Sequence, residues 1–446
     1  MRLAMAGIAL SAIGIAAPAS AQDSKDGFAL SGTTRLRYEA IDGQARAGFN
    51  AADDLVNLRT TVLGQYRDGP IRIAAELWDS RVYAGDKGTP ITTGEVNTLE
   101  LAQAFAEVRP HALLGAGSTA SLQAGRFLLN LGSRRLVAAD DYRNTTNSYT
   151  GLHAELAWRG GWRAILIYTL PQQRRPDDPA ELRHNAVAVD HEGVDLVLWG
   201  GTISRARAIR RTMIETSFFH LGERDTPQRP TRDRLLNTLG LRLISDPAPG
   251  KLDGELEGFV QHGHISTGLS ANAARQDVGA WFVHADAGYT WAGDWHPRLS
   301  IEFDHASGDR PGGRYGRFDT LLGMRRADLG PSGLYNAFGR ANFISPGARI
   351  EAAPSKRTDV MATLRPIWLA AREDSFSTTG VRDASGRSGT FAGTQVDGRL
   401  RHRLSPALRL ELDAVVLCKG RFLRDALNAP PGRWTKYASL NFTVVL

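Results

Sequence analysis

Cysteine is all but absent from this chain. Cys418 stands alone, which excludes an intramolecular disulfide framework. It falls in an apolar alternating series with Leu412, Ala414 and Val416, where a small hydrophobe belongs. Lysine is scarce too: six of the 54 basic residues are Lys (25, 87, 251, 356, 419 and 436), leaving 54 − 6 = 48 Arg. Against 47 acids the formal charge is +7, so placement of the arginines says more than their number. Beyond residue 21 no apolar run is long enough for a membrane-crossing helix, and mean hydropathy is −0.26. That excludes a helical membrane protein but not a β-barrel, whose alternating strands average to near-neutral hydropathy. No segment beyond the N-terminus carries a helical period with caps, and no fixed-period repeat marks a parallel β-helix.

Signals for chemistry are equally thin. Gly115-Ala116-Gly117-Ser118-Thr119-Ala120 mimics a dinucleotide fingerprint but opens no helix, so it reads as a turn. His191-Glu192 lacks the second histidine of a zinc protease motif, and His262 with His264 falls short of a ligand set. No Ser-His-acid triad can be assigned from spacing. No enzyme activity, cofactor or metal is expected. Nucleic acid is excluded as a partner because acids dilute the arginines and the compartment is wrong.

What is present is period two. TQVDGRLRHRL (394–404) sets Gln395, Asp397, Arg399, Arg401 and Arg403 against Val396, Gly398, Leu400 and Leu404. Residues 30–41 oppose Leu30, Gly32, Leu36, Tyr38 and Ala40 to Arg35, Arg37 and Glu39. Residues 56–67 oppose Val56, Leu58, Val62 and Tyr66 to Asn57, Arg59, Gln65 and Arg67. Residues 252–261 set Leu252, Leu256 and Val260 against Asp253, Glu255, Glu257 and Gln261, and residues 298–304 repeat the pattern. Such strands have one apolar and one strongly polar face.

The opening MRLAMAGIALSAIGIAAPASAQDS has a charged start, a small-residue apolar run and an A-x-A site. Residues 1–21 therefore read as a secretory signal peptide, and 22–446 as one exported domain. Tight turns (68–70, 160–161, 246–250, 405–406) alternate with long polar links (42–54, 81–98, 127–150, 171–192, 264–277, 370–390, 419–434). The expectation is an all-β transmembrane antiparallel barrel of about 18 strands, with short periplasmic turns and long external loops. A β-sandwich also alternates, but 446 − 21 = 425 residues without a domain break exceed the usual domain size. The apolar face then meets outer-membrane lipid and the arginine face a water-filled lumen.

At 125–144 the chain reads GRFLLNLGSRRLVAADDYRN, and further on LYNAFGRANFISPGARIEAAPSKRTDVMATLRPIWLAAREDSF and GRFLRDA. These segments resemble the alginate export porin family. The resemblance implies an eighteen-stranded outer-membrane barrel with an electropositive pore for an anionic uronate polymer, and it marks Gly125, Arg126, Gly132, Arg135, Asn144 and Asp374.

Parity and resemblance together give a pore-lining set: Arg35, Arg37, Arg59, Arg67, Arg126, Arg134, Arg135, Arg143, Arg365, Arg399, Arg401, Arg403 and Arg409. Glu39, Glu255, Glu257 and Asp397 share the lumen as counter-charges. If the link at 127–150 folds inward, Arg134, Arg135 and Arg143 would narrow the pore. The expected function is passive passage of anionic solutes, a uronate polysaccharide such as alginate or its fragments, with periplasmic export or uptake partners. An uptake porin for small organic acids would look the same, and a barrel-embedded hydrolase is the reading from another class. Residues 324–357 show no clean strand, and counting links back from Leu446 puts them on the periplasmic side. Their Arg325, Arg326, Arg340, Arg349 and Arg357 would suit a cationic plug; a hidden strand pair or a slip in the count would remove it.

Overall fold

A computed structural model describes residues 26–227, 229–270, 272–325 and 328–446. The expected signal peptide, 1–21, lies outside the described residues. Eighteen strands follow one another: β1 (Gly27–Asp42), β2 (Ala52–Asp68), β3 (Ile71–Tyr83), β4 (Asn97–Val108), β5 (Thr119–Leu128) and β6 (Ser148–Trp158). Next come β7 (Trp162–Pro171), β8 (Leu196–Ile209), β9 (Thr212–Glu223), β10 (Leu235–Ser245), β11 (Lys251–Ser266) and β12 (Arg275–Thr290). The last are β13 (Arg298–Ala306), β14 (Phe343–Ser355), β15 (Thr358–Trp368), β16 (Phe391–Arg403), β17 (Leu408–Lys419) and β18 (Trp434–Val445). Every strand pairs antiparallel with its neighbours in sequence, and β1 also pairs with β18, so the sheet closes. Closure leaves no unpaired edge, which is the condition for strands in hydrocarbon.

The wall faces two solvents. Leu30, Leu36, Val62, Ile73, Leu152, Leu166, Leu239, Val260, Ile301 and Leu364 all point outward and are exposed. A water-soluble protein does not tolerate apolar exposure on that scale. Aromatic side chains collect at both rims of this band: Tyr38, Tyr83, Tyr168, Trp199 and Trp434 at one end, Phe28, Tyr66, Trp291 and Phe442 at the other. Two aromatic girdles around an apolar belt are the pattern of an outer-membrane barrel.

Links 43–51, 84–96, 129–147, 172–195, 224–234, 267–274, 307–342, 369–390 and 420–433 share one end of the barrel; the short turns share the other. By the rule that such barrels keep short turns in the periplasm, the long links are external.

One expectation fails here. Residues 343–355 are not part of a periplasmic plug; they form β14, whose turn into β15 is only 356–357. The remainder, 324–342, belongs to the external link 307–342. The reason is local. Ile344 pairs with Trp368 and Ala348 with Leu364, which sets Pro346 opposite Pro366. Neither proline has an N–H to give, so the ladder breaks there and the strand loses its signature. The Ser345 hydroxyl donates to Pro366 O (2.9 Å) across the gap.

Candidate functional site

The inner face is organised in rings, because residues opposite one another in the ladders share a height. One ring runs Arg59, Arg35, Thr443, Arg409 and Arg403 across β2, β1, β18, β17 and β16. The ring above it reads Asn57, Arg37, Asn441, Glu411, Arg401 and Asp359, and the next Leu55, Glu39, Ser439, Asp413 and Arg399. On this wall cations outnumber acids toward the periplasmic mouth. The opposite wall differs: Glu215, Arg242, Glu257, His284 and Asp304 form one ring across β9 to β13, and Glu255, Asp286 and Glu302 stand in the next. The lumen thus has a cationic side and an acid-rich side.

External links fill the space between. Link 129–147 turns inward and buries Leu136, Val137, Ala138, Tyr142 and Asn144. Its tip is gripped by the cationic wall. Arg35 Nη1 donates to Asp141 O and Tyr142 O (both 3.1 Å), and Nη2 to Arg143 O (2.6 Å). Arg59 Nη1 donates to Asp141 O (2.9 Å) and Arg143 O (3.0 Å). Arg37 donates to Tyr142 O and lies over the Tyr142 ring at 4.1 Å. Backbone carbonyls here stand where carboxylates would, and a guanidinium fork suits both. Neither Arg35 nor Arg59 has a carboxylate partner among the described residues, and each leaves a buried Nε unbonded. Asn144 anchors the far side of the tip, donating to Arg81 O (3.1 Å) and Glu95 O (2.8 Å).

A second link, 307–342, packs on the first. Leu334 N donates to a Glu39 carboxylate oxygen (2.9 Å), and Tyr335 OH donates to Gln395 Oε1. Between both links and the acid-rich wall lies a buried ionic knot. Arg135 reaches Asp328 (2.9 Å), Glu255 (2.5 Å) and Glu257 (2.6 Å) at 3% exposure. Arg340 also contacts Asp328, while Arg365, fully buried, holds Glu302 (2.6 Å) and Asp304 (3.1 Å). Burial by itself would raise the Asp328 carboxyl, but Arg135 and Arg340 outweigh it and hold the group well below the usual carboxylate range.

The sequence-derived residues therefore scatter into distinct roles. Arg35, Arg37 and Arg59 clamp a link. Arg135 and Arg365, with Glu255 and Glu257, build the knot. Glu39 accepts from Asn57 (2.9 Å) and Tyr437 (3.1 Å), and Asp397 from Thr363 and Gln395. Arg143 pairs with Asp140 (3.2 Å), and Arg134 is half-buried with a left-handed backbone (φ 64°). Arg399 and Arg401 reach Asp359 at 3.8 and 2.8 Å. The Arg403 guanidinium donates to Lys356 O (2.6 Å), and Arg67, Arg403 and Arg409 make no ion pair among the described residues.

Arg126 is a correction. Its register partners Ala104 and Thr150 lie with Ala106, Leu122 and Leu152 on the outward face, so Arg126 points away from the lumen. It sits near the external rim, where it donates to Leu101 O (2.8 Å) and pairs with Glu192 (2.8 Å). A long cation is tolerated there because its head reaches the lipid headgroup layer. The other marked residues serve the filled lumen. Gly125 has φ +123° and its missing Cβ would meet Ala104 O at 2.4 Å; Gly132 leaves room for Glu215. Asp374 binds Arg317 (2.8 Å) between links. No side-chain pattern signals that the carbonyls of 141–143 would be the arginines' partners, so sequence reasoning missed them.

Residues 28–433 match the family profile described as alginate export. A search of curated protein sequences finds no match. Among solved structures, a BenF-like porin from Pseudomonas fluorescens Pf-5 is similar at 12% identity and TM-score 0.59, with 94% of this chain and 98% of that one covered. Pseudomonas aeruginosa OccD3 (OpdP) gives 12% and 0.57, over 94% and 91%. Pseudomonas aeruginosa OccK2 (OpdF) in complex with glucuronate gives 13% and 0.54, over 94% and 96%. At such identities the likeness concerns the fold, which is that of outer-membrane porins. The profile match spans nearly the whole chain, and the chain belongs to the alginate export family.

Proposed function

From that membership, we propose that the barrel passes anionic solutes passively, and that its cargo is a uronate polysaccharide such as alginate, or fragments of one. The observation that carries the reading is the ring Arg59, Arg35, Arg409 and Arg403, in which no arginine has a carboxylate partner among the described residues. A carboxylate entering from the periplasmic mouth meets Arg67, Arg403 and Arg409 first, and Arg399 and Arg401 beyond them. Each contact is shallow, since a unit pair at about 4 Å in water is worth only about 1 kcal/mol. A row of shallow sites lets one carboxylate leave as the next arrives, which conduction requires. The acids of the opposite wall are held by Arg135, Arg242, Arg298 and Arg365, so the wall that offers cations to a solute is the arginine side. A small organic acid fits this path as well; the inward links favour cargo that presents its carboxylates singly.

The test uses two cations that have no ion pair among the described residues. Arg67→Ala with Arg409→Ala should lower anion selectivity, read as a reversal potential across a planar bilayer in a salt gradient, without loss of folded barrel. Oligouronate added to the wild-type channel should block chloride current at lower concentration than a monomeric uronate does. Unchanged selectivity in the double variant would remove the arginine path. Equal block by monomer and oligomer would leave small acids as the cargo.

A further inference from the structure

A groove of about 310 Å³ opens on the outer surface of β7 to β12, at the height of the external aromatic girdle. It faces the membrane, not the lumen. One outward ring there reads Tyr168, Trp199, His220 and Asn237; the ring above it reads Val197, Gly222, Leu235 and His264. Gly222 is why a groove exists: it contributes no side chain between Val197 and Leu235, and its own backbone is not left-handed. Above the gap stand Arg224, Asp233 and Arg275 from the rim. Below it the outward ring is apolar, with Leu166, Phe218, Leu239 and Val260 in register.

The polar groups around the opening are mostly cationic or imidazole. Glu223 turns its carboxylate to Arg234 (2.9 Å), and Asp233 holds Arg275 (2.8 Å). Asp277 accepts from His264 Nδ1 (2.9 Å). His220 Nδ1 donates to Asn237 Oδ1 (2.8 Å), so its Nε2 faces the space over Gly222, 3.5 Å from where a Cβ would stand. Arg224 is exposed and has no ion pair among the described residues. Charge is thus confined to the rim, with the Gly222 gap beneath it, then the aromatic ring of Tyr168 and Trp199 and an apolar ring below, the profile of a lipid that lies with its head at the rim. Basic pockets at headgroup depth bind lipid phosphates, and Arg recognises phosphate by a bidentate fork.

We propose that this groove binds the headgroup of a phosphorylated lipid of the outer leaflet, with Arg224 as the phosphate anchor, Trp199 and Tyr168 as the aromatic wall, and the acyl chains along Leu166, Leu239 and Val260. The site is separate from the lumen and does not depend on what the channel carries.

Native mass spectrometry of the detergent-purified full chain tests it, with bis-phosphorylated lipid A as the probe and its dephosphorylated form as control. The wild type should retain one phosphorylated lipid in preference to the control. Arg224→Gln removes the anchor, and Gly222→Leu fills the groove without changing charge; each should weaken retention about tenfold. Heat-modifiable mobility and single-channel conductance should stay unchanged in both, because neither residue faces the lumen. Equal retention of the two lipids, or variants that retain lipid A as the wild type does, would overturn the proposal. A stable dimer that Gly222→Leu dissociates would also overturn it, since a second copy would then own the groove.

Discussion

Replacing Arg35 and Arg59 together by Ala is the perturbation that isolates the link clamp. The two guanidinium groups make five hydrogen bonds to the carbonyls of Asp141, Tyr142 and Arg143. A hydrogen bond to a charged group contributes about 1.5–3 kcal/mol, and removal of the donor leaves a buried carbonyl unpaired. The five are coupled, and the tip keeps Arg37 and Asn144, so the sum is not additive. A loss of about 3–6 kcal/mol in docking the tip is the working figure. That weakens its docking constant by about two to four orders of magnitude. A tip released on that scale widens the lumen while two cations are lost from its wall. Single-channel conductance in a planar bilayer should therefore rise as anion selectivity falls. Opposite signs are the diagnostic, because lost charge without movement lowers both. The wild-type clamp should survive about 1 M salt, since buried pairs are weakly screened. A double variant whose conductance falls, or stays level, would mean that the tip is held by its apolar packing and that the arginines are passengers.

The ionic knot makes two further predictions. Arg135→Met strands the buried carboxylates of Glu255, Glu257 and Asp328, which costs about 3–5 kcal/mol; the heat-modifiable unfolding transition should move to lower temperature, and an unmoved transition would show that the wall carries the fold alone. Asp328 has a folded value below its unfolded one of about 3.9, so its stabilising share is whole above that pH and fades only as the pH falls through the depressed folded value. The fall in unfolding temperature caused by Asp328→Asn should accordingly be the same at pH 7 and at about pH 5; a fall that shrinks between the two would refute the assignment of Asp328 to the knot.

The wall was legible in the sequence because its cause is local. Pleating sends Arg35, Arg37 and Glu39 one way and Leu36, Tyr38 and Ala40 the other, and no distant residue changes that. The strand at 343–355 was not legible because two prolines face each other across β14 and β15, which silences both the propensity and the ladder. Arg126 went astray for a different reason. A family likeness placed it, whereas its parity with Leu122 and Ala124 on β5 already put it outside. Least legible was the filling of the lumen. Period two says that a side chain points inward but not what it meets there. Arg35 and Arg409 obey the same alternation, yet one is buried against backbone carbonyls 106 to 108 residues away and the other has no ion pair among the described residues. Burial of that kind is decided by which links fold inward, a choice made through contacts between Glu39 and Leu334, or Arg135 and Asp328, far apart in the chain. An inward arginine is thus only a candidate until its partner is known. On that ground Arg67, Arg403 and Arg409, which have no ion pair among the described residues, are better candidates to meet a solute than the Arg399 and Arg401 that the sequence puts forward most strongly.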